Sequence, residues 1–301
     1  DIVCLITRVP YKNYIQAAIA LSFIGIFRCL GLRLGAILSG RLVAFIGRFS
    51  SEHRLAEANM AAGLPDILPE QRQQELRRMW LNIGHVLAEM AHMKKILAQA
   101  DSRLRLHNGE HLAALKAAGK PFILVSAHTG NGEILMVMLK QHGMEGGAIY
   151  RRSNNPIMDK WIVDQRTRYI PHQIPKGADG SKQMIRLLRN GVSLGALIDQ
   201  RLNTGDPITF FWRPTRAPSA AVKLAHRFDL MVLPVRVCRR QDMPDTAYFD
   251  LYLEPPLIVK QSDNRQADTD QAMAHIYARF EAWISDRPSE WFWVHDRWRK
   301  N

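Results

Sequence analysis

Cysteine is scarce: Cys4, Cys29 and Cys238 are the only three in 301 residues, odd in number and far apart. This excludes a disulfide framework and a CxxC-type zinc site, and fits a reducing compartment facing the cytosol. The 11 histidines are scattered with no HExxH string, which argues against a zinc hydrolase. No serine or cysteine sits in a GxSxG-like elbow. Acidic residues are missing altogether between Asp1 and Glu52, a stretch that holds six basic ones: Arg8, Lys12, Arg28, Arg33, Arg41 and Arg48. A long apolar run is missing too. The uncharged apolar stretch at 15–27 has 13 residues, short of the roughly 20 that a helix needs to cross a bilayer.

What is present describes a folded, basic protein. The apolar share of 47% and charged share of 23% exclude intrinsic disorder, collagen-like sequence and a multispanning membrane protein. The net charge of +13 and pI near 10.0 favour anionic partners: nucleic acid, anionic lipid or an acidic carrier protein. Residues 1–50 read as a membrane-associated helical segment. Its one-sided charge fits a helix lying at an anionic leaflet, or a short tilted span ending at Arg28, and its length also fits a buried helical hairpin. Residues 51–100 read as two helices separated by a break at Pro65 to Pro69, with Trp80, Ile83, Gly84, Leu87 and Met90 or Ala91 recurring as a core face.

From about residue 109 the texture alternates between helix and strand. Strands are predicted at 122–127, 147–151, 192–198, 231–238 and 247–253, with helices at 110–118, 131–142, 156–167, 180–189, 218–227 and 265–286. A Pro-rich loop follows residue 198. The fold class is therefore α/β, a mainly parallel central sheet flanked by helices, with 51–301 as one domain.

Chemistry concentrates at predicted strand ends, where open α/β sheets bind ligands. His128 and Glu133 bracket the turn of Ser126-Ala127-His128-Thr129-Gly130-Asn131-Gly132-Glu133. Five residues apart, they share no face of a continuous helix. A turn built on Gly130 and Gly132 brings the carboxylate back against the imidazole, leaving the other ring nitrogen to take a proton. The nucleophile is then a hydroxyl of the substrate, and backbone N–H groups of the turn face the oxyanion. By spacing alone the pair equally describes a helix-capping histidine and a solvated first-turn acid. Arg151, ending the next strand, offers a rigid donor fork for phosphate or an oxyanion. Asn155, Asp199 and Gln200 lie on the same expected edge.

The ordered strings HTGNGE, YRRSNNP, DQRLNTGDPITFFWRPTRAPS and PSEWFWVHDRWRK, together with Asn59-Met60, resemble the bacterial lipid A biosynthesis acyltransferases over roughly residues 40–300. The resemblance implies transfer of a fatty acyl chain from acyl carrier protein, or less often coenzyme A, to a hydroxyl of a phosphorylated glycolipid precursor. It implies no resident cofactor and no metal. His128 and Glu133 carry over as base and orienting carboxylate, Arg151, Asn155, Asp199 and Gln200 as substrate-binding or structural residues. The implied partners are acyl carrier protein, an anionic glycolipid and the cytoplasmic face of the inner membrane, with no nucleic acid. Two departures stand out, at Phe210-Phe211-Trp212 and at His295-Asp296-Arg297 of the terminal motif. Trp212 replaces the glycine of the family's FFG, which predicts altered filling of the substrate crevice. Trp291, Trp293 and Trp298, mixed with Arg297, Arg299 and Lys300, read either as an interfacial anchor or as core packing. The rival readings are the same chemistry on another glycolipid, such as a phosphatidylinositol mannoside, and a basic nucleic-acid-binding module. The module lacks an RNP-like aromatic string, finger spacing or a recognition-helix pattern.

Overall fold

The acid-free N-terminal stretch forms α1 (Tyr11–Gly47), two helical stretches joined across a sharp kink at Gly31, whose φ of 75° and ψ of 168° suit glycine and where a Cβ added to Gly35 would lie 3.1 Å from Phe27 O. In the computed structural model residues 9–243 and 247–298 are described, so Cys4, Arg8, Arg299 and Lys300 lie outside the described residues. The 13 uncharged residues are part of the first stretch, 11–30. About 20 residues before the break make about 30 Å of helix, the thickness of a hydrocarbon core. By length and composition α1 can cross a membrane, and 11% of its most apolar window is buried. Most of this window is exposed, which does not fit a hairpin buried in the protein.

Ser50 caps the next helix, α2 (Ser51–Gly63), by accepting from His53 N at 3.2 Å. Helix α3 (Pro69–Ala91) starts after the Pro65 to Pro69 break. The second half of α1 lays Ser39, Gly40 and Gly47 against it. Backbones touch here: a Cβ on Gly84 would meet Ser39 O at 2.5 Å and Gly40 Cα at 2.6 Å. Ser39 Oγ donates to Gly84 O at 2.8 Å. The core face of α3 is broader than expected. Leu76, Met79, Trp80, Gly84, Ala88 and Ala91 are buried together with Asn82, His85 and Glu89, whereas Leu87 is 47% exposed.

Short helices α4 (Met93–Ala98) and α5 (Ala100–Arg103) lead into β1 (Leu104–His107) and α6 (Glu110–Ala117). The alternating part then runs β2 (Ile123–Ser126), α7 (Ile134–Gln141), β3 (Gly146–Tyr150), α8 (Pro156–Arg166), β4 (His172–Pro175), α9 (Ala178–Arg189) and β5 (Ser193–Leu197). A hairpin of β6 (Asp206–Phe210) and β7 (Arg213–Ala217) occupies the segment whose prolines predict a loop. After it come α10 (Ala220–Phe228), β8 (Met231–Arg239), β9 (Phe249–Leu253), β10 (Leu257–Ile258) and α11 (Arg265–Asp286).

The main sheet is ordered β1-β9-β8-β2-β5-β3-β4, with β10 also paired to β8. Strands β8, β2, β5, β3 and β4 are mutually parallel, and β9 is antiparallel to β8. All four residues of β2 are buried, as expected for a parallel strand covered on both faces. The chain leaves β2 through α7 and enters β3 on the far side of β5. The carboxyl ends of β2, β5, β3 and β4 therefore open on one edge, which is where the site forms.

Candidate active site

His128 lies two residues past the end of β2 and Asp199 two past the end of β5. These strands pair in parallel with Ser126 opposite Leu197, so equal offsets bring the two side chains together. His128 Nδ1 is 2.6 Å from Asp199 Oδ1, and Asp199 Oδ2 accepts from Trp291 Nε1 at 2.7 Å. Asp199 is 1% exposed. Burial works against its charge, but the imidazole beside it and the hydrogen bonds from His128 and Trp291 prevail, holding the carboxyl well below the usual aspartate range. With Nδ1–H donating to Asp199, Nε2 carries the lone pair. It faces the Gln200 amide, whose Nε2 is 3.2 Å from His128 Nε2 and 2.7 Å from His295 Nε2. Asn59 of α2 fixes that C-terminal segment by donating to both Trp293 O and His295 O at 2.7 Å.

Glu133 does not turn back onto the imidazole. Its carboxylate accepts from Arg166, with Nε at 3.0 Å and a second bond from Nη2, and from Tyr169 OH at 2.9 Å. The turn is held from below in a way that aims Glu133 at α8 and the segment after it. Asn131 Nδ2 donates to Glu89 Oε2 at 2.8 Å, Asn131 Oδ1 accepts from Glu133 N at 3.1 Å, and Gly130 N donates to Glu290 O at 3.1 Å. The Gly130 N–H is therefore taken by Glu290, not presented to an oxyanion. Its φ of 56° and the 2.8 Å from an added Cβ to Val237 O explain the glycine by conformation and closeness. An added Cβ at Gly132 would meet Leu197 Cδ1 at 2.8 Å, so this glycine lets the turn approach β5. Burial disfavours the Arg166 charge, but Glu133 beside it raises its pKa, while burial and Glu133 together push that of Tyr169 up.

His128, Glu133, Arg151 and Gln200 line one cleft of 630 Å³, together with Gly130 and Gly132. Asn155 is placed elsewhere. It is buried as the N-cap of α8, accepting from Ile157 N and Met158 N, and its Nδ2 donates to Asn13 O at 2.8 Å, tying α1 to this edge. Arg151 is exposed at the mouth, with Nη2 donating to Asn154 Oδ1 at 3.2 Å. Lys176, just past β4, shares the cleft, and burial followed by the Arg151 charge pulls its pKa down. Two cations at one mouth favour an anion between them. The inner walls are apolar: Met136 lies over Gly195 and Gly146, where added Cβ atoms would be 2.9 Å from its Sδ and 2.6 Å from its Cε.

Sequence reasoning missed Arg166 and Lys176, whose only signal is a cation at or just after an element end on the same sheet edge. It also missed the support under the turn. Glu89 is 0% exposed and takes two bonds from Arg239, whose Nε donates to Asn82 Oδ1 at 2.6 Å. Trp291 and Trp293 are buried, so these two are core and not lipid anchors. Trp298 is half-buried, donating to Phe210 O at 3.1 Å. Trp212 does not fill the crevice: it is 77% exposed at the β6–β7 turn, outside the cleft lining. Among the described residues no group of three or more His, Cys, Asp or Glu side chains is placed to hold a metal ion.

Comparison with known proteins yields one family match. The profile described as bacterial lipid A biosynthesis acyltransferase matches residues 7–300, nearly the whole chain. No curated protein matches the chain.

Proposed function

The chain belongs to the bacterial lipid A biosynthesis acyltransferase family, and from that premise we propose that it carries a fatty acyl group from acyl carrier protein to a hydroxyl of a lipid A precursor, with His128 as general base. The observation that carries this reading is the Asp199–His128 pair at the strand edge, opening through Nε2 into a cleft with an apolar interior and a cationic mouth.

The chemistry follows from the tautomer. The acceptor hydroxyl takes the position that Gln200 now holds against Nε2 and gives its proton to that nitrogen as the oxygen attacks the thioester carbonyl. Asp199 stabilises the imidazolium that results. The C–S bond then breaks, and the imidazolium returns the proton to the departing thiolate. No enzyme nucleophile is needed, and the one buried cysteine among the described residues, Cys238, has its thiol pushed up to about 12 by burial. The apolar walls around Met136 receive the acyl chain, while Arg151 and Lys176 hold a phosphate of the acceptor. The Glu133–Arg166 pair forms a polar wall of the same cleft. The +13 charge favours both the acidic donor protein and the cytoplasmic leaflet of the inner membrane, where α1 anchors the protein.

A donor competition tests this. Equimolar acyl carrier protein and coenzyme A thioesters of distinguishable chain length are supplied with a lipid A precursor, and product masses report which is used. The carrier-protein chain is expected to dominate, and the protein's intact mass is expected to stay unchanged. A hydroxylamine-sensitive acyl adduct on the protein would overturn direct transfer.

A further inference from the structure

A second concavity, of 480 Å³, lies away from the cleft among the end of α1, the segment after it and α3. Its wall includes Arg41, Arg48, Arg77, His53, Trp80 and Phe45. Glu57 touches the wall, accepting from Gln73 Nε2 at 2.6 Å. Arg41 and Arg77 are exposed and make no ion pair among the described residues. The guanidinium of Arg48 sits 4.6 Å from the Phe45 ring centre and 4.4 Å from that of Phe49, which keeps a cation beside apolar surface. The floor is fixed, since Trp80 Nε1 donates to His53 Nδ1 at 3.0 Å.

The surface bordering this pocket identifies what fits it. At about 100° per residue, Leu34, Leu38, Leu42 and Phe45 fall within about 80° of one another on α1. They are 40–58% exposed, and Phe49 just beyond is 67% exposed. The small residues that pack on α3 occupy the other side of the helix. Arg41 and Arg48 lie along the border of the apolar face. A helix with an uncovered apolar face and arginines at its edge lies in the membrane interface, its cations at headgroup depth.

We propose that this pocket binds the phosphate of an anionic membrane phospholipid, with the lipid's acyl chains running over Leu42, Phe45 and Phe49. Three arginines lining one concavity suit a phosphate, and the adjoining apolar face distinguishes a lipid from a free anion. The site is separate from the acyl-transfer cleft and stands or falls without it.

The test uses the full chain and flotation with vesicles of phosphatidylcholine alone or with phosphatidylglycerol. The wild-type chain is expected to prefer the anionic vesicles, and Arg41→Gln/Arg77→Gln to lose about tenfold or more in affinity for them, with affinity for neutral vesicles unchanged. Arg41→Lys/Arg77→Lys is expected to keep most of the preference. Arg186→Gln/Arg189→Gln, an equal charge change at exposed positions of α9, is expected to leave it intact. Equal losses in both Gln pairs would reduce the site to a diffuse field and overturn the proposal, as would no loss in either. Inorganic phosphate abolishing the preference where chloride of equal ionic strength does not would assign the pocket to a free anion and overturn the lipid.

Discussion

At the residue scale, the pairing of the carboxylates decides the chemistry: Asp199 meets His128 and Glu133 meets Arg166. His128, Asp199, Gln200 and Glu133 are each legible in the sequence as polar residues at strand ends, but their pairing is not. It depends on β2 lying beside β5 with Ser126 opposite Leu197, a register that no local pattern encodes. Glu133 sits five residues from His128 yet bonds to Arg166, 33 residues away. His128→Ala is expected to lower turnover by about 10²–10⁴, the usual contribution of a general base. Asp199→Asn, which no longer stabilises the imidazolium, is expected to lower kcat strongly with little change in KM. Glu133→Gln leaves Arg166 without its counter-charge and is expected to lower folding stability by about 1–3 kcal/mol, read by chemical denaturation. Unchanged stability in Glu133→Gln would contradict the pairing. Glu89 was illegible because an acid on a helix reads as solvated unless the buried Arg239 it meets is known.

At the element scale, periodicity recovers the long elements and fails on short or polar ones. Strands β1 and β4 carry Arg105 and His107, and His172 and Gln173, in four residues each, whereas the equally short β2 is a buried apolar run, and the β6–β7 hairpin was hidden by its Pro207 and Pro214. That hairpin turns through Phe211 and Trp212 at φ of 49° and 57°, a conformation that costs an L-residue about 1–2 kcal/mol. Trp212 is exposed, so Trp212→Gly is expected to raise stability by about 1 kcal/mol; a fall on denaturation would show that its ring contributes more than the turn loses. The α1–α3 contact is the reverse case. Gly84→Ala forces a Cβ against Ser39 O and is expected to cost about 1–3 kcal/mol. His85 on the same face has its pKa pushed down to about 3 by burial and by Arg239. Between pH 6.5 and about 3 the unfolded chain binds the extra proton, so this contribution to stability is full above 6.5 and falls with pH through that window. His85→Gln is expected to flatten that part of the stability–pH curve, and an unchanged slope would contradict the assignment.

At the scale of the whole molecule, the parallel sheet edge, the cleft and the basic apolar helix share one logic. The proposed glycolipid acceptor and anionic leaflet both call for cations beside apolar surface, and the chain carries such cations at the cleft mouth and along α1. Fold class was legible because alternating helix and strand dictates covered parallel strands. The N-terminal membrane-associated helix was legible from its apolar run and one-sided charge, but its extent to the kink at Gly31 was not, because Arg28 reads as the end of the apolar run. The central claim, acyl transfer driven by His128, is tested most directly by mass spectrometry of a lipid A precursor incubated with acyl carrier protein thioesters and either the wild-type chain or His128→Ala. The account predicts a mass gain of one acyl chain with the wild-type protein and almost none with a folded His128→Ala. Equal acylation by both would contradict it.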